Sequence, residues 1–295
     1  MTMLDFRMDT FLMVCRFLNY TKAAEELNIT QPAVSQHIHY LENLYSVKLF
    51  NYEGKKLYLT EAGKSLYQAV ITMKHDEQYL KEILQNSDQR KNLLAFGATL
   101  TIGEFAMAKS LERYLMQYPD SQIRMMIGNT SELLKLLGTG EIDFALVEGN
   151  YDKKKYDSQT FAQERYIPVC SKQHSFLKKP EKLADLLSER IIIREKGSGT
   201  REILERNLGY RNLDIADFAK NVEIGGITAI KSLVEADLGI TFLYEAAVRK
   251  ELQQGELIEI KLKDFKVSHD FAFIWNKGSI FSWEYQHLFE LLKYD

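Results

Sequence analysis

The sequence predicts a multidomain α+β protein in which a small helical module, one long helix and a larger α/β region follow one another. Apolar residues recur at helical spacing through the first 50 residues. Residues 61–87 continue that spacing with no proline and with no glycine after Gly63. From residue 92 onwards, short apolar runs alternate with amphipathic stretches, which is the rhythm of βαβ units.

Composition limits the class of protein. A chain of 295 residues is too long for one compact core, so two or more domains are expected. Its shares of hydrophobic residues (45%) and charged residues (27%) are ordinary for globular proteins. No apolar run approaches the roughly 20 residues of a membrane span, and Asp5, Arg7 and Asp9 interrupt the N-terminus, so we expect a cytoplasmic protein. Cys15 and Cys170 are expected to be buried free thiols.

The N-terminal module is predicted to be a helix-turn-helix. Its first helix covers residues 6–18, and Thr21 is a candidate N-cap for a second helix at residues 22–27. Thr30 is the candidate N-cap of a third helix, and Pro32 suits the first turn of that helix because its missing N–H costs little there.

The third helix has an apolar side and a polar side. We expect one side to be a buried stripe made of Val34, Ile38, Leu41 and Leu44. Short or amide side chains on the opposite side are suited to base edges and phosphates in a major groove. That predicted DNA-reading side carries Gln31, Ala33, Ser35, Gln36, His39 and Asn43.

A small β-wing is predicted after the third helix. Its strands are placed at residues 47–50 and 57–60, with Gly54 supplying the turn. Lys55 and Lys56 lie near the tip, where they are placed to touch the DNA backbone. The alternative is an ordinary solvated hairpin.

The run FLNYTKAAEELNITQPAVS at residues 17–35 resembles the signature of LysR-type transcriptional regulators. The resemblance continues at the right spacing through Ile38, Leu41, Glu42, Leu49, Phe50 and residues 59–63. It implies a bacterial regulator that binds double-stranded promoter DNA through a winged helix-turn-helix. It also implies that Thr21, Gln31, Pro32, Ser35 and Gln36 lie at the DNA.

The module departs from that family in its charge. His37, His39 and Tyr40 stand where the family often has arginine, and Asn51 stands where the wing often begins with arginine. Residues 1–60 hold six basic and six acidic side chains. Because each neutralised phosphate adds affinity, we expect one module to bind weakly and dimerisation to matter. Whether His39 is charged at the DNA, as a pH sensor would be, is left open.

A long helix is predicted from a cap at Thr60 to about Ser87. Its apolar stripe resembles a coiled-coil seam interrupted by Glu77 and consists of Leu66, Val70, Met73, Leu80 and Leu84. The helix resembles the LysR linker, which implies a homodimer, and the family alone implies a homotetramer. We place the DNA-binding domain at residues 1–60, the linker at 61–90 and the effector-binding domain at 91–295.

The C-terminal region resembles the two-lobed periplasmic-binding-protein fold of LysR effector domains. Its first lobe is predicted at about residues 91–162 and 267–295, and its second at about 163–266. A mainly parallel sheet is expected. The predicted strands are at residues 93–97, 123–127, 144–147, 166–170, 191–193, 222–224, 239–242 and 271–275.

Ligands of such folds bind between the lobes, at strand ends and helix starts. That rule selects Thr99, Leu100, Thr101, Asn129, Thr130, Glu148, Ser198, Gly199, Thr200, Arg201, Ile227 and Thr228. The hydroxyls and free N–H groups of residues 197–201 suit a carboxylate, sulfate or phosphate. The alternatives are that the Ser and Thr residues only cap helices, that Arg201 pairs with Glu205, and that Glu148 is solvated.

Two segments, residues 146–149 and 194–201, resemble a LysR branch that includes regulators of sulfur and cysteine metabolism. The branch implies a small anionic effector. Alternatives are a constitutive regulator without an effector, a solute-binding protein, and an enzyme. None of the six histidines has a metal-binding spacing or an evident nucleophile beside it, and no nucleotide P-loop is present. We therefore expect no enzymatic activity, no metal and no cofactor.

Overall fold

The computed structural model describes residues 4–54, 56–85 and 93–293. The chain forms two compact units. Met1–Arg90, Gly138–Gly140 and Asn276–Phe281 make up the first, and the remaining residues make up the second. In the described part of the chain, no helix is both long enough and apolar enough to cross a membrane.

The first unit begins with three helices around a common core, followed by a hairpin and a long helix. Phe11, Val14 and Leu41 are completely buried in that core, and Ile38 is 1% exposed. The elements are α1 Arg7–Phe17, α2 Tyr20–Leu27, α3 Gln31–Tyr45, β1 Phe50–Glu53, β2 Lys56–Leu59 and α4 Glu61–Gln85.

Local side-chain caps set the starts of α2 and α3. The Asn19 Oδ1 accepts hydrogen bonds from the N–H groups of Thr21 (2.9 Å) and Lys22 (3.0 Å), so α2 begins at Tyr20. The prediction that Thr21 caps α2 is wrong, because Asn is at least as good an N-cap as Thr and stands two residues earlier. The Thr30 cap is confirmed, since its Oγ1 accepts from the Ala33 N–H at 3.3 Å.

The buried side of α3 is shorter than predicted. Val34, Ile38 and Leu41 are buried, but Leu44 is 57% exposed, so its place in the buried stripe was wrong. Ten residues at about 100° each bring Leu44 about 80° away from Val34 around the helix, which turns it out of the core. The carboxylate of Glu42 is buried instead and accepts from the Leu49 N–H at 2.9 Å.

The wing is a hairpin of two four-residue strands. In it, β1 and β2 pair antiparallel from Phe50 opposite Leu59 to Glu53 opposite Lys56. Residues 47–49 were predicted as strand and are not. The backbone of Leu49 is already engaged, because its N–H bonds Glu42 and its carbonyl accepts from the Thr60 N–H.

The long helix α4 starts at the predicted cap, where the Thr60 Oγ1 accepts from the Gly63 N–H at 2.9 Å. The stripe on α4 does not form one continuous seam. Val70 is buried in the core of the helical module, whereas Met73 and Leu84 are 52% and 73% exposed. Farther along, the Asp76 carboxylate accepts from the Ser279 hydroxyl at 2.6 Å, within the same unit.

The second unit contains nine strands and six helices among its described residues. A π-helical turn at Ile102–Ala106 leads into the first of these helices. The strands are β3 Leu93–Thr99, β4 Gln122–Gly128, β5 Phe144–Val147, β6 Tyr156–Ser171, β7 Arg190–Ile193, β8 Lys220–Glu223, β9 Thr241–Tyr244, β10 Leu257–Glu259 and β11 Val267–Asn276. The helices are α5 Met107–Gln117, α6 Thr130–Thr139, α7 Gly199–Gly209, α8 Ile227–Glu235, α9 Glu245–Gln254 and α10 Ser282–Leu292.

Two long strands, β6 and β11, are neighbours in the main sheet of this unit. The main sheet has the order β10-β6-β11-β5-β3-β4, and β9 also pairs with β6. The sheet is mixed rather than mainly parallel as predicted: β3 is parallel to β4 and β5, but β11 is antiparallel to β5, and β6 is antiparallel to β9 and β10. The returning strands β6 and β11 explain the difference, because a chain that crosses between lobes and comes back reverses direction.

Candidate DNA-binding face and interlobe site

The polar side of α3 is open to solvent in the described chain. Gln31, Pro32 and Gln36 are exposed, and the side chain of His39 is 65% exposed. Ala33 and Ser35 are half-buried at the edge of this side. Since α3 is held by its opposite side, this arrangement has the geometry of a recognition helix. We call this set of six residues the α3 face.

Two other residues of α3 are bound to α1. The Nδ1 of His37 lies 2.9 Å from the Thr10 hydroxyl, and the ring of Phe6 packs edge-on against His37. Burial and the nearby Arg7 lower the pKa of His37, which favours a neutral ring. The Arg7 guanidinium also stacks 3.9 Å from the centre of the Tyr40 ring. These departures from the family pattern therefore hold the helix in position, a role that the sequence did not reveal.

Among the described residues of the helical module and the wing, some lysines are exposed and others are paired, and Lys22 on α2 is one of the exposed lysines. Lys56 on β2 and Thr21 on α2 are exposed. Lys55 falls outside the described residues. Lys48 is bound to the buried Glu42 at 2.6 Å. The expectation that one module binds DNA weakly rests on the balanced charge of residues 1–60, which hold six basic and six acidic side chains.

In the second unit, three hydroxyl groups donate hydrogen bonds to one buried carboxylate. The Thr200 Oγ1 lies 2.7 Å from Glu148 Oε1, the Thr101 Oγ1 lies 3.2 Å from the same oxygen, and the Thr99 Oγ1 lies 3.1 Å from Glu148 Oε2. We call Thr99, Thr101 and Thr200 the threonine cradle. It joins the end of β3 and the following turn to the start of α7.

The carboxylate in the cradle is removed from water. Glu148 is 1% exposed. Burial raises the pKa of Glu148, although the three hydroxyls and the positive charge of Arg194 favour its ionised form. The cradle is itself held in place, because the Tyr166 hydroxyl donates to the Thr200 carbonyl at 2.8 Å. The alternative in which Glu148 is solvated is wrong, because the side chain is buried.

Beside the cradle, three buried polar atoms have no hydrogen-bond partner among the described residues. They are the Ser198 Oγ, the Thr130 Oγ1 and the Arg194 Nη1. Ser198 stands at the N-cap of α7, but its side chain does not cap that helix. The two other nitrogens of the Arg194 guanidinium, Nε and Nη2, donate hydrogen bonds to the Glu195 carboxylate at 2.8 Å each. Since unpaired buried polar groups are costly, these three atoms form a candidate ligand-binding site.

Two glycines bring the loops of this site into contact. A Cβ on Gly199 would lie 2.8 Å from the Gly149 nitrogen and 2.8 Å from the Glu148 Cγ. A Cβ on Gly149 would lie 2.5 Å from the Thr130 Oγ1 and 3.3 Å from the Gly199 Cα. The start of α7 and the start of α6 therefore lie on either side of Gly149.

Other predicted effector residues have different surroundings. Asn129 caps α6, since its Oδ1 accepts from the Glu132 N–H at 2.9 Å. Leu100 packs against the cluster that contains the buried Ile227. Thr228 is exposed on α8.

Arg201 is held by its own surroundings. Its Nε donates to Glu205 at 2.7 Å and its Nη1 donates to the Arg194 carbonyl at 3.1 Å. A second ion pair, to Glu223, adds to this. These contacts favour the alternative in which Arg201 pairs on and beside its helix.

Sequence reasoning missed the separate roles of Arg194, Tyr166 and Gly149. Arg194 lies in the segment that resembles the family branch, and the signal in the sequence was an arginine close to serine, threonine and glycine residues. Tyr166 was assigned to an apolar strand, in which its hydroxyl is hidden by the pattern. Within the described residues, no group of three or more His, Cys, Asp or Glu side chains is placed to hold a metal ion.

Two family models match the chain. Residues 7–64 match "Bacterial regulatory helix-turn-helix protein, lysR family", and residues 87–294 match "LysR substrate binding domain". The chain is 31% identical over 267 residues to the HTH-type transcriptional regulator CysL of Bacillus subtilis (strain 168), covering 90% of this chain and 88% of CysL. It is 29% identical over 271 residues to the HTH-type transcriptional activator CmpR of Synechocystis sp., covering 92% and 88%.

Solved structures share the fold at low sequence identity. An H2O2-bound mutant of OxyR from Corynebacterium glutamicum matches with a TM-score of 0.62 and 20% identity, covering 97% of this chain and 90% of that one. The regulatory domain of Synechocystis CcmR in complex with 2-PG matches with a TM-score of 0.61 and 20% identity, covering 68% and 96%. With both family models matched in order and nearly the whole length shared with CysL, the chain belongs to the LysR family of transcriptional regulators.

Proposed function

We propose that this regulator binds promoter DNA in the cytoplasm through the α3 face, as a homodimer. We further propose that a small anion changes that binding. The anion would bind at the interlobe site, by which we mean the threonine cradle together with Thr130, Arg194 and Ser198. The observation that carries the effector half is the set of unpartnered buried donors, Ser198 Oγ, Thr130 Oγ1 and Arg194 Nη1. Hydroxyl and guanidinium donors without an acceptor are what an oxyanion satisfies.

The start of α7 adds to the attraction for an anion. The first N–H groups of a helix have no partner within the helix, and they carry about half a positive charge. Ser198 and Thr200 stand at this end of α7, and both are 1% exposed. A bound anion would lie out of water, where hydrogen bonds to charge are strong. A regulatory domain of the same fold has been solved with 2-PG.

A homodimer is favoured by charge and by α4. One module carries as many acidic as basic side chains, so we expect that two modules on one DNA are needed for useful affinity. Met73 and Leu84 expose apolar surface along α4 in the single chain. We propose that these residues pack against α4 of a second copy, and that pairs of dimers form a tetramer.

The effector half is tested by titrating the full chain with sulfate, phosphate and thiosulfate in a calorimeter. Replacing Ser198 with alanine removes one donor to the anion, and a hydrogen bond to charge is worth about 1.5–3 kcal/mol. We therefore expect Ser198→Ala to weaken binding by about tenfold or more. The control is Ser188→Ala, which changes an exposed serine of the same unit. Equal affinities for both variants would reject this site, and Thr200→Val should behave like Ser198→Ala.

The DNA half is tested by selecting binding sites from random duplexes and measuring retention of the best site in a gel shift. Gln36→Ala on the α3 face should remove sequence-specific retention, because an amide that reads a base is lost. Gln253→Ala, which changes an exposed glutamine of α9, should retain the site. Unchanged retention by Gln36→Ala would reject the α3 face as the reading surface.

One observation favours a second candidate, a constitutive regulator without an effector. The cradle hydroxyls are already bound to Glu148, and Gly149 and Gly199 are in close contact. If no anion in the titration binds wild-type protein or any variant, the constitutive regulator replaces the effector-controlled one.

A further inference from the structure

We propose that Glu148 is an internal competitor for the anionic effector, so that the effector binds together with one proton. This proposal rests on the proposed function, and it adds a mechanism that neither the family match nor the relatives' names describe. Glu148 fills the threonine cradle with the same chemical group, an oxyanion, that an effector would bring.

The competition follows from counting hydrogen-bond donors. Each threonine has a single O–H to donate. All three of the cradle hydroxyls donate to Glu148, at 2.7, 3.1 and 3.2 Å. An external oxyanion can take one of these hydrogens only if Glu148 gives it up. Ser198 and Thr130, by contrast, have hydroxyls without partners among the described residues, so an anion can bind these two hydroxyls first.

Charge makes the competition stronger. Arg194 is the positive group whose charge acts on Glu148, and two of its nitrogens already bind Glu195. The other titratable groups that interact with Glu148 are the buried Tyr166 and Tyr244, whose pKa values burial raises far above neutral pH, so they add no positive charge. A second negative charge beside Glu148 therefore meets repulsion in a site with little water to screen it.

A proton removes that repulsion. The proton comes from solvent and binds a Glu148 oxygen, which converts the carboxylate into a neutral carboxylic acid. The acid then has one O–H donor of its own to offer the anion, while the threonine hydroxyls become available. Burial already raises the pKa of Glu148, so taking up this proton costs less than it would at the surface.

The same exchange involves both sides of the interlobe site. Glu148 follows β5, whereas Thr200 lies 52 residues later in the chain, in the first turn of α7. The bond between them ties the two loops together before any effector arrives. Replacing it with bonds to a shared anion changes what holds α7 against β5, which gives the effector a physical means of altering the domain.

The test is calorimetric titration of the full chain with sulfate, which remains fully ionised throughout the pH range used. For the wild type we expect the Kd to rise with pH, by up to tenfold per pH unit above the pKa of Glu148. Two buffers with different ionisation enthalpies should report uptake of up to one proton per sulfate. Glu148→Gln should bind sulfate more tightly at pH 8, with no proton uptake and no pH dependence.

The matched control is Glu202→Gln. This carboxylate lies on the same helix, two residues beyond Thr200, and accepts from Asn150 rather than from the cradle. It should keep the pH dependence of the wild type. Binding by Glu148→Gln alone would also support the proposal, since it would mean that the internal carboxylate excludes sulfate completely.

Three outcomes overturn the inference. Equal, pH-independent binding by wild type and Glu148→Gln would reject the competitor while leaving the anion site intact. Loss of binding in Glu148→Gln would show that the site needs the Glu148 carboxyl group, and it would reject the role of Glu148 as a competitor. No sulfate binding by any of the three proteins would reject the anion site and the competitor together. The proton-uptake measurement on wild type alone decides the matter if Glu148→Gln does not fold.

Discussion

Replacing Gly199 with alanine should force apart the loops at the interlobe site. The added Cβ would lie 2.8 Å from the Gly149 nitrogen, 2.9 Å from the Gly149 Cα and 2.8 Å from the Glu148 Cγ. Carbon atoms pack at about 3.5–4.0 Å, so the two carbon contacts are about 0.6 Å or more too short. Two of the three atoms are backbone and cannot rotate away. Overpacking of this kind costs about 1–3 kcal/mol.

The chain offers a matched control for this change at the other end of α7. Gly209→Ala adds the same Cβ where no heavy atom lies within 4 Å. Alanine in a helix is favoured over glycine by about 0.5–1 kcal/mol. Urea unfolding should therefore give a free energy of unfolding that is unchanged or higher for Gly209→Ala, and about 1–3 kcal/mol lower for Gly199→Ala. Sulfate affinity, measured on both proteins, should change only in Gly199→Ala.

The reasoning about this close contact would be refuted if the two variants were equally stable and bound sulfate equally well. Such a result would mean that the loops have room to separate at no cost. The bond between Thr200 and Glu148 would then not depend on the glycine, and the lobes would be held together by other contacts.

The remaining predictions concern two carboxylates whose pKa values move in opposite directions. Burial raises the pKa of Glu148 in the folded protein. The free energy of unfolding is therefore highest at acid pH, and it falls by up to about 1.4 kcal/mol per pH unit as the pH rises towards the folded pKa of Glu148. Glu148→Gln should thus match the wild type in acid and unfold at higher urea at neutral pH; parallel curves would contradict this. Burial opposes ionisation of Glu42, but bonds from Lys48 and the Leu49 N–H outweigh it and lower its pKa, so its contribution is present at neutral pH and is lost in acid. Glu42→Ala should cost about 1–3 kcal/mol in urea unfolding at pH 7 because a buried N–H loses its partner, whereas the exposed Glu25→Ala should cost under about 0.5 kcal/mol, and equal losses would refute the assignment.

Local rules allowed part of the fold to be predicted. The caps at Thr30 and Thr60 and the position of Pro32 depend on a few neighbouring residues, and the structure confirms them. Asn19 was overlooked although it obeys the same rule. The first half of β6 was missed because residues 156–165 are largely polar, and its pairing with distant strands, not its own pattern, makes it a strand.

The candidate site shows where a single sequence stops being informative. The rule about strand ends and helix starts selected Thr99, Thr101, Glu148 and Thr200, and the structure brings these four together. The rule did not predict that the Glu148 carboxylate would accept hydrogen bonds from all three threonine hydroxyls. That arrangement requires two loops to approach within van der Waals distance, and only the packed chain determines how closely they approach.

The position of Val70 has a consequence for how the DNA-binding part can be separated or turned. The core around Phe11 and Ile38 includes Val70 and is flanked by Leu66. A fragment cut after Thr60 would leave a hole in that core, so the smallest piece expected to fold on its own extends past Val70. For the same reason, the first ten residues of α4 belong to the DNA-binding module, and a rotation of this part of the helix would turn the packed helices with it.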